Sequence, residues 1–253
     1  MGTPVYSIII PAYNEGERIS VALDRVLEHI DRRHCSAEVI VVNDGSRDQT
    51  ADLVRRYTSE HPAVRLVENP GNRGKGYSVR HGMTAASGEL LLFTDADLSA
   101  PIWQADKLFD ALRQGADVVI GSRWMDPALQ TTKQPLFRQL AGRIFNLLLR
   151  LILGLKFKDT QCGFKAFTRR AAGLIFPRQR IERWGFDPEI LFLAGKMGLA
   201  TREVPVEWAH DERSKISPLR DGVRMFGEML KVRCYDLTGK YRSEALPGTG
   251  KDK

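Results

Sequence analysis

Two aspartates one residue apart, Asp95 and Asp97 in TDADLS, follow directly on the apolar run Leu90–Phe93. Side chains at i and i+2 of a strand leave on one face, so a strand continuing through both would aim two hard oxygen donors into one space. Such donors suit Mg²⁺ or Mn²⁺, which shares its remaining positions with water and phosphate oxygens. The alternative is a capped turn in which Asp97 or Ser99 serves the helix that follows. VNDGSRDQT sets Asn43, Asp44 and Ser46 at the end of another apolar run, where a carboxylate can accept from a base N–H or a ribose hydroxyl. An Asp-Gly turn followed by an N-cap uses the same residues. GNRGKG, Gly71–Gly76, holds Arg73 and Lys75 in a loop whose backbone can approach a pyrophosphate or a base. It matches neither the P-loop nor the dinucleotide pattern.

The elements that must position these groups are visible as alternating runs. YSIIIPAY, AEVIVVNDGS, VRLVENP, ELLLFTDAD and ADVVIGSR read as strands. Between them lie ERISVALDRVLEHIDRR, with Ile19, Leu23, Val26, Leu27 and Ile30 at helical spacing, DQTADLVRRYTSEH, GYSVRHGMTAASG and WQADKLFDALRQG. Strands separated by helices of this length predict an α/β fold, a mostly parallel central sheet flanked by helices. Ligands of such sheets bind beyond the carboxyl ends of the strands. The exits here are PAYNE, NDGSRD, ENPGNRGKG, TDADLS and GSRW.

The second half differs. PLFRQLAGRIFNLLLRLILGLKFK, Pro135–Lys158, is apolar but broken by Arg143 and Arg150 and closed by Lys156 and Lys158. Its apolar part is shorter than the ~20 residues a membrane span requires. It reads either as an amphipathic interfacial helix over 135–157, its cations snorkelling to lipid phosphates, or as a core or dimer helix.

Composition narrows the field. The 253 residues, 43% hydrophobic and 27% charged, suffice for one substantial core, and one domain over 1–240 is expected. Residues 241–253, rich in Gly, Pro and charge, read as a disordered tail. A net charge of +7 favours anionic partners such as phosphates and lipid headgroups. The basic residues are spread along the chain without an aromatic-studded stripe, which argues against nucleic acid. Cys35, Cys162 and Cys234 have no CxxC spacing, so neither a disulfide framework nor a zinc site is suggested, and a cytoplasmic compartment fits. MGTPVYSIIIPAYNE has no basic leader or cleavage site and reads as the first strand.

IIIPAYNE, VVNDGSRDQT, NRGKG, TDADLS and GSR occur in an order that resembles family 2 glycosyltransferases of the GT-A (Rossmann-like) fold. DTQCGFKAFTRRAA (Asp159–Ala172), IERWGFDPEILFLA (Ile181–Ala194) and VEWAHDERSKI (Val206–Ile216) resemble the dolichyl-phosphate β-glucosyltransferase branch, whose plan the dolichol-phosphate mannose synthases largely share. The likeness spans 5–235 and implies a nucleotide-sugar half over 1–125 and an acceptor half over 126–240. By that resemblance Pro11, Tyr13, Glu15, Asp44 and Lys75 surround the nucleotide, and Asp95 and Asp97 place Mg²⁺ or Mn²⁺ on the diphosphate. Arg123 and Arg138 hold the acceptor phosphate, Gln161 lines the sugar pocket, and Ser214 and Lys215 close over the donor phosphates. Asp187 and Glu189 fall where other members keep a general base; they are read as positioning groups with a base role left open, against the plain alternative of helix N-terminal acids.

The activity implied is inverting transfer of a sugar, UDP-glucose being the favoured donor, onto a polyprenyl (dolichyl or undecaprenyl) phosphate. The enzyme would lie peripherally on the cytoplasmic face of a membrane. GDP-mannose or another UDP-sugar as donor, a silent nucleotide-sugar or membrane-binding scaffold, and a homo-oligomer stay open.

Overall fold

A computed structural model of the chain describes residues 4–132, 146–209 and 218–242. Arg138, Ser214, Lys215, the 135–145 part of the expected interfacial helix and residues 243–253 lie outside the described residues.

Among the described residues the strands are β1 (Tyr6–Ala12), β2 (Ala37–Asn43), β3 (Val64–Glu68), β4 (Leu90–Phe93), β5 (Val118–Ser122), β6 (Gln130–Thr132), β7 (Lys165–Thr168), β8 (Thr201–Pro205) and β9 (Trp208–Ala209). The helices are α1 (Ile19–Arg32), α2 (Thr50–Glu60), α3 (Lys75–Ala85), α4 (Ala105–Arg113), α5 (146–153), α6 (Arg169–Ile175), α7 (Phe186–Lys196) and α8 (Pro218–Leu237). One seven-stranded sheet has the order β3-β2-β1-β4-β7-β5-β8, and β6 pairs with β9 apart from it. Every neighbour pair in the large sheet is parallel except those of β7, whose Ala166 lies opposite Leu92 of β4 and Val119 of β5 in antiparallel register. This is the mostly parallel sheet flanked by helices that the alternating runs predict.

Alternation along the strands builds two cores, one on each face. Ile8, Ile10, Leu92 and Val119 pack with Leu23 and Val26 of α1 and Leu108 and Phe109 of α4. Ile9, Val42, Phe93, Ile120 and Phe167 pack with Val79 of α3, Ile175 of α6 and Phe186 and Ile190 of α7. Because both faces are covered, the strands read as continuous apolar runs rather than as alternating ones.

Three expectations change. The strand expected through Asp97 ends at Phe93. The chain then turns, Leu98 N–H donating to Asp95 C=O at 3.0 Å with Leu98 in the left-handed region (φ 48°), so the two aspartates are aimed by a turn and not by strand pleating. The helix expected to reach 157 stops at 153, because Gly154 adopts φ 70° and Leu155 N–H folds back on Arg150 C=O at 2.9 Å, a Schellman-type end. In this helix Leu149 and Leu153 are buried in the core, while Leu147, Leu148 and Leu151 are exposed. The core reading therefore holds for one face of α5 and leaves an apolar outer face. Finally, Tyr241, placed in the tail by its flanking composition, is buried, and its hydroxyl donates to Glu189 at 2.6 Å.

Candidate active site

The β1, β2 and β4 exits converge on the loop before α3. Asp44, just past β2, is buried, and its carboxylate accepts three N–H groups: Asn69 Nδ2 at 2.8 Å and Arg73 N at 2.9 Å on Oδ1, and Gly74 N at 2.8 Å on Oδ2. A carboxylate offers about four acceptor positions, so Asp44 folds the Gly71–Gly74 loop and keeps one position for a further donor. The turn reading is realised alongside it, Ser46 N–H donating to Asn43 Oδ1 at 3.1 Å. The β1 exit is stitched to the β2 exit: Asn14 N–H donates to Ser46 Oγ at 3.0 Å, Arg47 N–H to Asn14 Oδ1 at 2.8 Å, and Glu15 N–H to Thr50 Oγ1 at 2.8 Å. Pro11 lies opposite Val42 one residue before the end of β1, Tyr13 is partly exposed just beyond it, and the Glu15 carboxylate pairs with Arg18.

Lys75, the first residue of α3, reaches across to the β4 exit. Its Nζ lies 2.5 Å from Asp95 Oδ1, 5.5 Å from the Trp184 ring centre and 5.9 Å from that of Phe186. Burial works against the Lys75 charge, but Asp95 and Asp187 outweigh it and raise its pKa. Asp97 has one oxygen on the Ser99 N–H at 2.9 Å; burial first, and then the charge of Asp95, push its carboxyl up. Two carboxylates that repel each other at a semi-exposed turn are the donor set a divalent cation relieves. Gly163 closes the other side of Asp95: a Cβ there would fall 2.3 Å from Asp95 Oδ2 and 2.9 Å from Lys75 Nζ. Only a residue without a side chain leaves that carboxylate open. Among the described residues no group of three His, Cys, Asp or Glu could cage a metal, so an ion held by Asp95 and Asp97 would need ligand oxygens as well. Hard oxygen donors and shared coordination both fit Mg²⁺ or Mn²⁺.

Arg123, immediately after β5, forms a fork on Asp159: Nε at 2.6 Å from Oδ2 and Nη2 at 2.8 Å from Oδ1, with the Arg123 N–H at 3.1 Å from Oδ2. Asp159 is fully buried; burial disfavours its charge, yet the Arg123 charge and hydrogen bonds win and hold the carboxyl below the usual range. The guanidinium also lies 5.6 Å from the Trp124 ring centre and 5.4 Å from that of Trp208. Its Nη1 is not part of the fork. Gln161 is partly buried two residues on, its N–H 3.3 Å from Asp159 Oδ1 and its Nε2 3.9 Å from Met225 Sδ.

Asp187, in the first turn of α7, is buried, and Lys165 Nζ sits 2.5 Å from its Oδ1 and 2.5 Å from Cys162 C=O. Burial raises the Asp187 carboxyl against the pull of Lys165 and Lys75. Glu189 accepts Arg180 and Ile181 N–H groups at 2.9 Å each and the Tyr241 hydroxyl.

Lys75 thus pairs with Asp95 and feels the charges of Asp187 and Asp97, Asp44 holds the loop that precedes it, and Arg123 and Gln161 both meet Asp159. Asp159, Gly163 and Lys165 are contributors that the sequence reading leaves unassigned; all belong to DTQCGFK, and that motif was their only signal.

The profile of the family described as Glycosyl transferase family 2 matches residues 7–176. A dolichyl-phosphate beta-glucosyltransferase of Trichomonas vaginalis is 37% identical over 246 residues, covering 92% of this chain and 72% of that protein. The Drosophila melanogaster protein of that name is 37% identical over 253 residues (95% and 78%), and the Homo sapiens one is 33% identical over 255 residues (96% and 79%). Among solved structures, glucosyl-3-phosphoglycerate synthase from Mycobacterium tuberculosis in complex with Mn²⁺ and UDP-glucose superposes with a TM-score of 0.65 at 22% identity, covering 91% of this chain and 79% of that one. That likeness concerns the fold. With the β-strand exits, the acidic turn and the profile in agreement, the chain belongs to glycosyl transferase family 2 and is a glycosyltransferase.

Proposed function

We propose that the chain transfers glucose from UDP-glucose to a polyprenyl phosphate, giving a β-linked lipid-phosphate sugar, at a membrane surface on the cytoplasmic side. The observation that carries this is the Lys75–Asp95 pair beside Asp97 under the Gly163 backbone, a cation and two acids gathered where a diphosphate would lie. Support for the donor and acceptor comes from the names of relatives that are 33–37% identical across nine-tenths of this chain.

The residues then divide the work. Asp44 keeps the Gly71–Gly74 loop closed around the nucleotide, with Pro11, Tyr13 and Glu15 on the β1 side. Asp95 and Asp97 would hold Mg²⁺ or Mn²⁺, which when bound supplies Lewis acidity to the departing diphosphate. Lys75 adds a fixed positive charge on the same leaving group, the kind of preorganised electrostatics that acts most strongly where charge develops. Arg123, its fork locked by Asp159, offers Nη1 to the acceptor phosphate, with Arg138 assigned the same task by resemblance. Ser214 and Lys215 are assigned to closing over the donor, and Gln161 to the sugar. An acceptor phosphate oxygen is already ionised near neutral pH, the second phosphate pKa being about 6, so it attacks C1 without a strong base. The new bond to C1 forms opposite the C1–O bond that breaks, the electron pair leaves with UDP, and an α-linked donor yields a β-linked product.

The test is transfer from UDP-glucose, other UDP-sugars and GDP-mannose to a short polyprenyl phosphate with Mg²⁺ or Mn²⁺, read by mass spectrometry of the lipid. Product from UDP-glucose is expected. Product from GDP-mannose alone would overturn the donor, and none from any donor would overturn the acceptor.

A further inference from the structure

Lys165 is a lysine with no solvent exposure, lodged in the middle of the sheet. A buried ammonium is costly unless paired and hydrogen-bonded, so its presence calls for a reason. Its contacts give one. The ammonium pairs with Asp187 Oδ1, donates to Cys162 C=O, and lies 5.6 Å from the Phe93 ring centre. The residue after Cys162 is Gly163, whose backbone abuts Asp95 Oδ2 and Lys75 Nζ so closely that no Cβ fits between them. One cation in β7 therefore joins the first turn of α7 to the loop that covers the acidic turn after β4. Asp187, by contrast, has an oxygen committed to that cation and is 4% exposed. A general base must reach the proton it takes, directly or through one water.

Resting on the transfer reaction proposed above, we infer that Lys165 is a positioning residue: through the Cys162 carbonyl it seats the Gly163 backbone against the Asp95–Lys75 pair. Asp187 is the counter-ion of Lys165 and accepts no proton during transfer.

The two roles for Asp187 rank the variants in opposite order. If it is a base, Asp187→Asn is the most damaging change. If it is a counter-ion, Asn still offers Oδ1 to Lys165, whereas Lys165→Met removes the bond to Cys162 C=O and is worse for the placement of the loop. The experiment uses the full chain with Cys35→Ser and Cys234→Ser, leaving Cys162 as the single thiol. The rate at which a soluble disulfide reagent labels Cys162 reports whether the loop is seated, independently of any substrate. In the parent the thiol is buried and its pKa is pushed up to about 12, so labelling is slow. Lys165→Met is expected to speed labelling and to lower kcat on the order of 10²-fold, the size of effect that a small misplacement near the reacting atoms produces. Asp187→Asn strips the charge that offsets a buried ammonium, so its urea midpoint is expected to fall, but in the folded protein labelling should stay slow, kcat hold within about tenfold of the parent, and the acid limb of the kcat–pH profile remain in place. Loss of turnover and of that limb in Asp187→Asn with slow labelling would establish a base and overturn the inference. Unchanged labelling in Lys165→Met would overturn it as well. Should the parent fail to glucosylate polyprenyl phosphate, the proposed function falls, while the labelling arm still decides the role of Lys165.

Discussion

A methyl group on residue 163 would stand 2.3 Å from a candidate metal-binding oxygen, so Gly163→Ala is a direct way to move Asp95 without removing it. The expected outcome is a fold with unchanged Tm and a metal requirement raised about 10- to 100-fold, the range seen when groups behind metal ligands are disturbed. Titrating activity with Mn²⁺ checks it. Asp97→Asn should leave the fold intact and cut kcat by about 10² to 10³, as loss of one preorganised electrostatic contact does; wild-type turnover in that variant would remove Asp97 from the site. Asp159→Asn differs in kind. It strips the charge from the buried partner of Arg123, and breaking one side of a buried pair costs about 3–5 kcal/mol, so urea unfolding should shift before any kinetic effect is measured. The contrast also marks what was legible. Asp95, Asp97 and Lys75 announce themselves through local spacing. Arg123 was visible in GSRW, but its partner stands 36 residues on, and a pairing across a loop leaves no periodic trace in the chain. Asp44 could be picked from the sequence as a candidate, whereas its work in closing the Gly71–Gly74 loop required the three N–H groups to be seen together.

At the level of elements, α7 is held by acids at its beginning. Glu228 of α8 accepts the Gly185 N–H at 2.8 Å, and Glu189 collects the Arg180 and Ile181 N–H groups and the Tyr241 hydroxyl. Burial outweighs those three hydrogen bonds and lifts the Glu189 carboxyl from 4.5 to about 6 in the folded chain. Between those values the native state binds more protons than the unfolded chain. Stability from this group is therefore present below pH 4.5 and is lost as pH rises through about 6, by about 2 kcal/mol for a shift of that size. Tyr241→Phe removes a donor that binds the ionised carboxylate more strongly than the neutral acid. It should cost about 1.5–3 kcal/mol at pH 7.5 and much less at pH 4.5, checked by urea unfolding at both. Of the elements themselves, the first five strands and the first four helices could be read from apolar runs and helical spacing. β7 could not. KAFT is four residues long, begins with a lysine and runs backwards between two parallel neighbours, and the ion pair with Asp187 together with the bond to Cys162 C=O makes that lysine tolerable there.

For the whole molecule, charge and exposed apolar surface bear on the proposed membrane attachment. Among the described residues no helix is long and apolar enough to cross a membrane. α5 exposes Leu147, Leu148 and Leu151, and α8, tied to it by Arg233 Nε on Ile152 C=O at 2.6 Å, exposes Val223, Phe226 and Leu230. With a net charge of +7, binding to anionic vesicles should weaken as salt shortens the screening length. Leu147→Glu with Leu151→Glu should release the protein from such vesicles at unchanged Tm; retained sedimentation would return the outer face of α5 to some other partner. Leu149→Glu, on the buried face, should instead unfold the chain. The reversed strand carries a different consequence. The chain leaves the sheet at Ser122 and re-enters at Lys165 on the adjacent strand, with Ile120 opposite Lys165. Because β7 runs backwards, departure and return open at the same rim, about 4.8 Å apart in the strand-pairing direction. A stretch whose two ends sit side by side can be lengthened, shortened or exchanged without rethreading the sheet. Changes of length between Arg123 and Asp159 therefore leave the strand order untouched, provided that Arg123 keeps its fork on Asp159 and that Gly163 and Lys165 keep their places against Asp95 and Asp187.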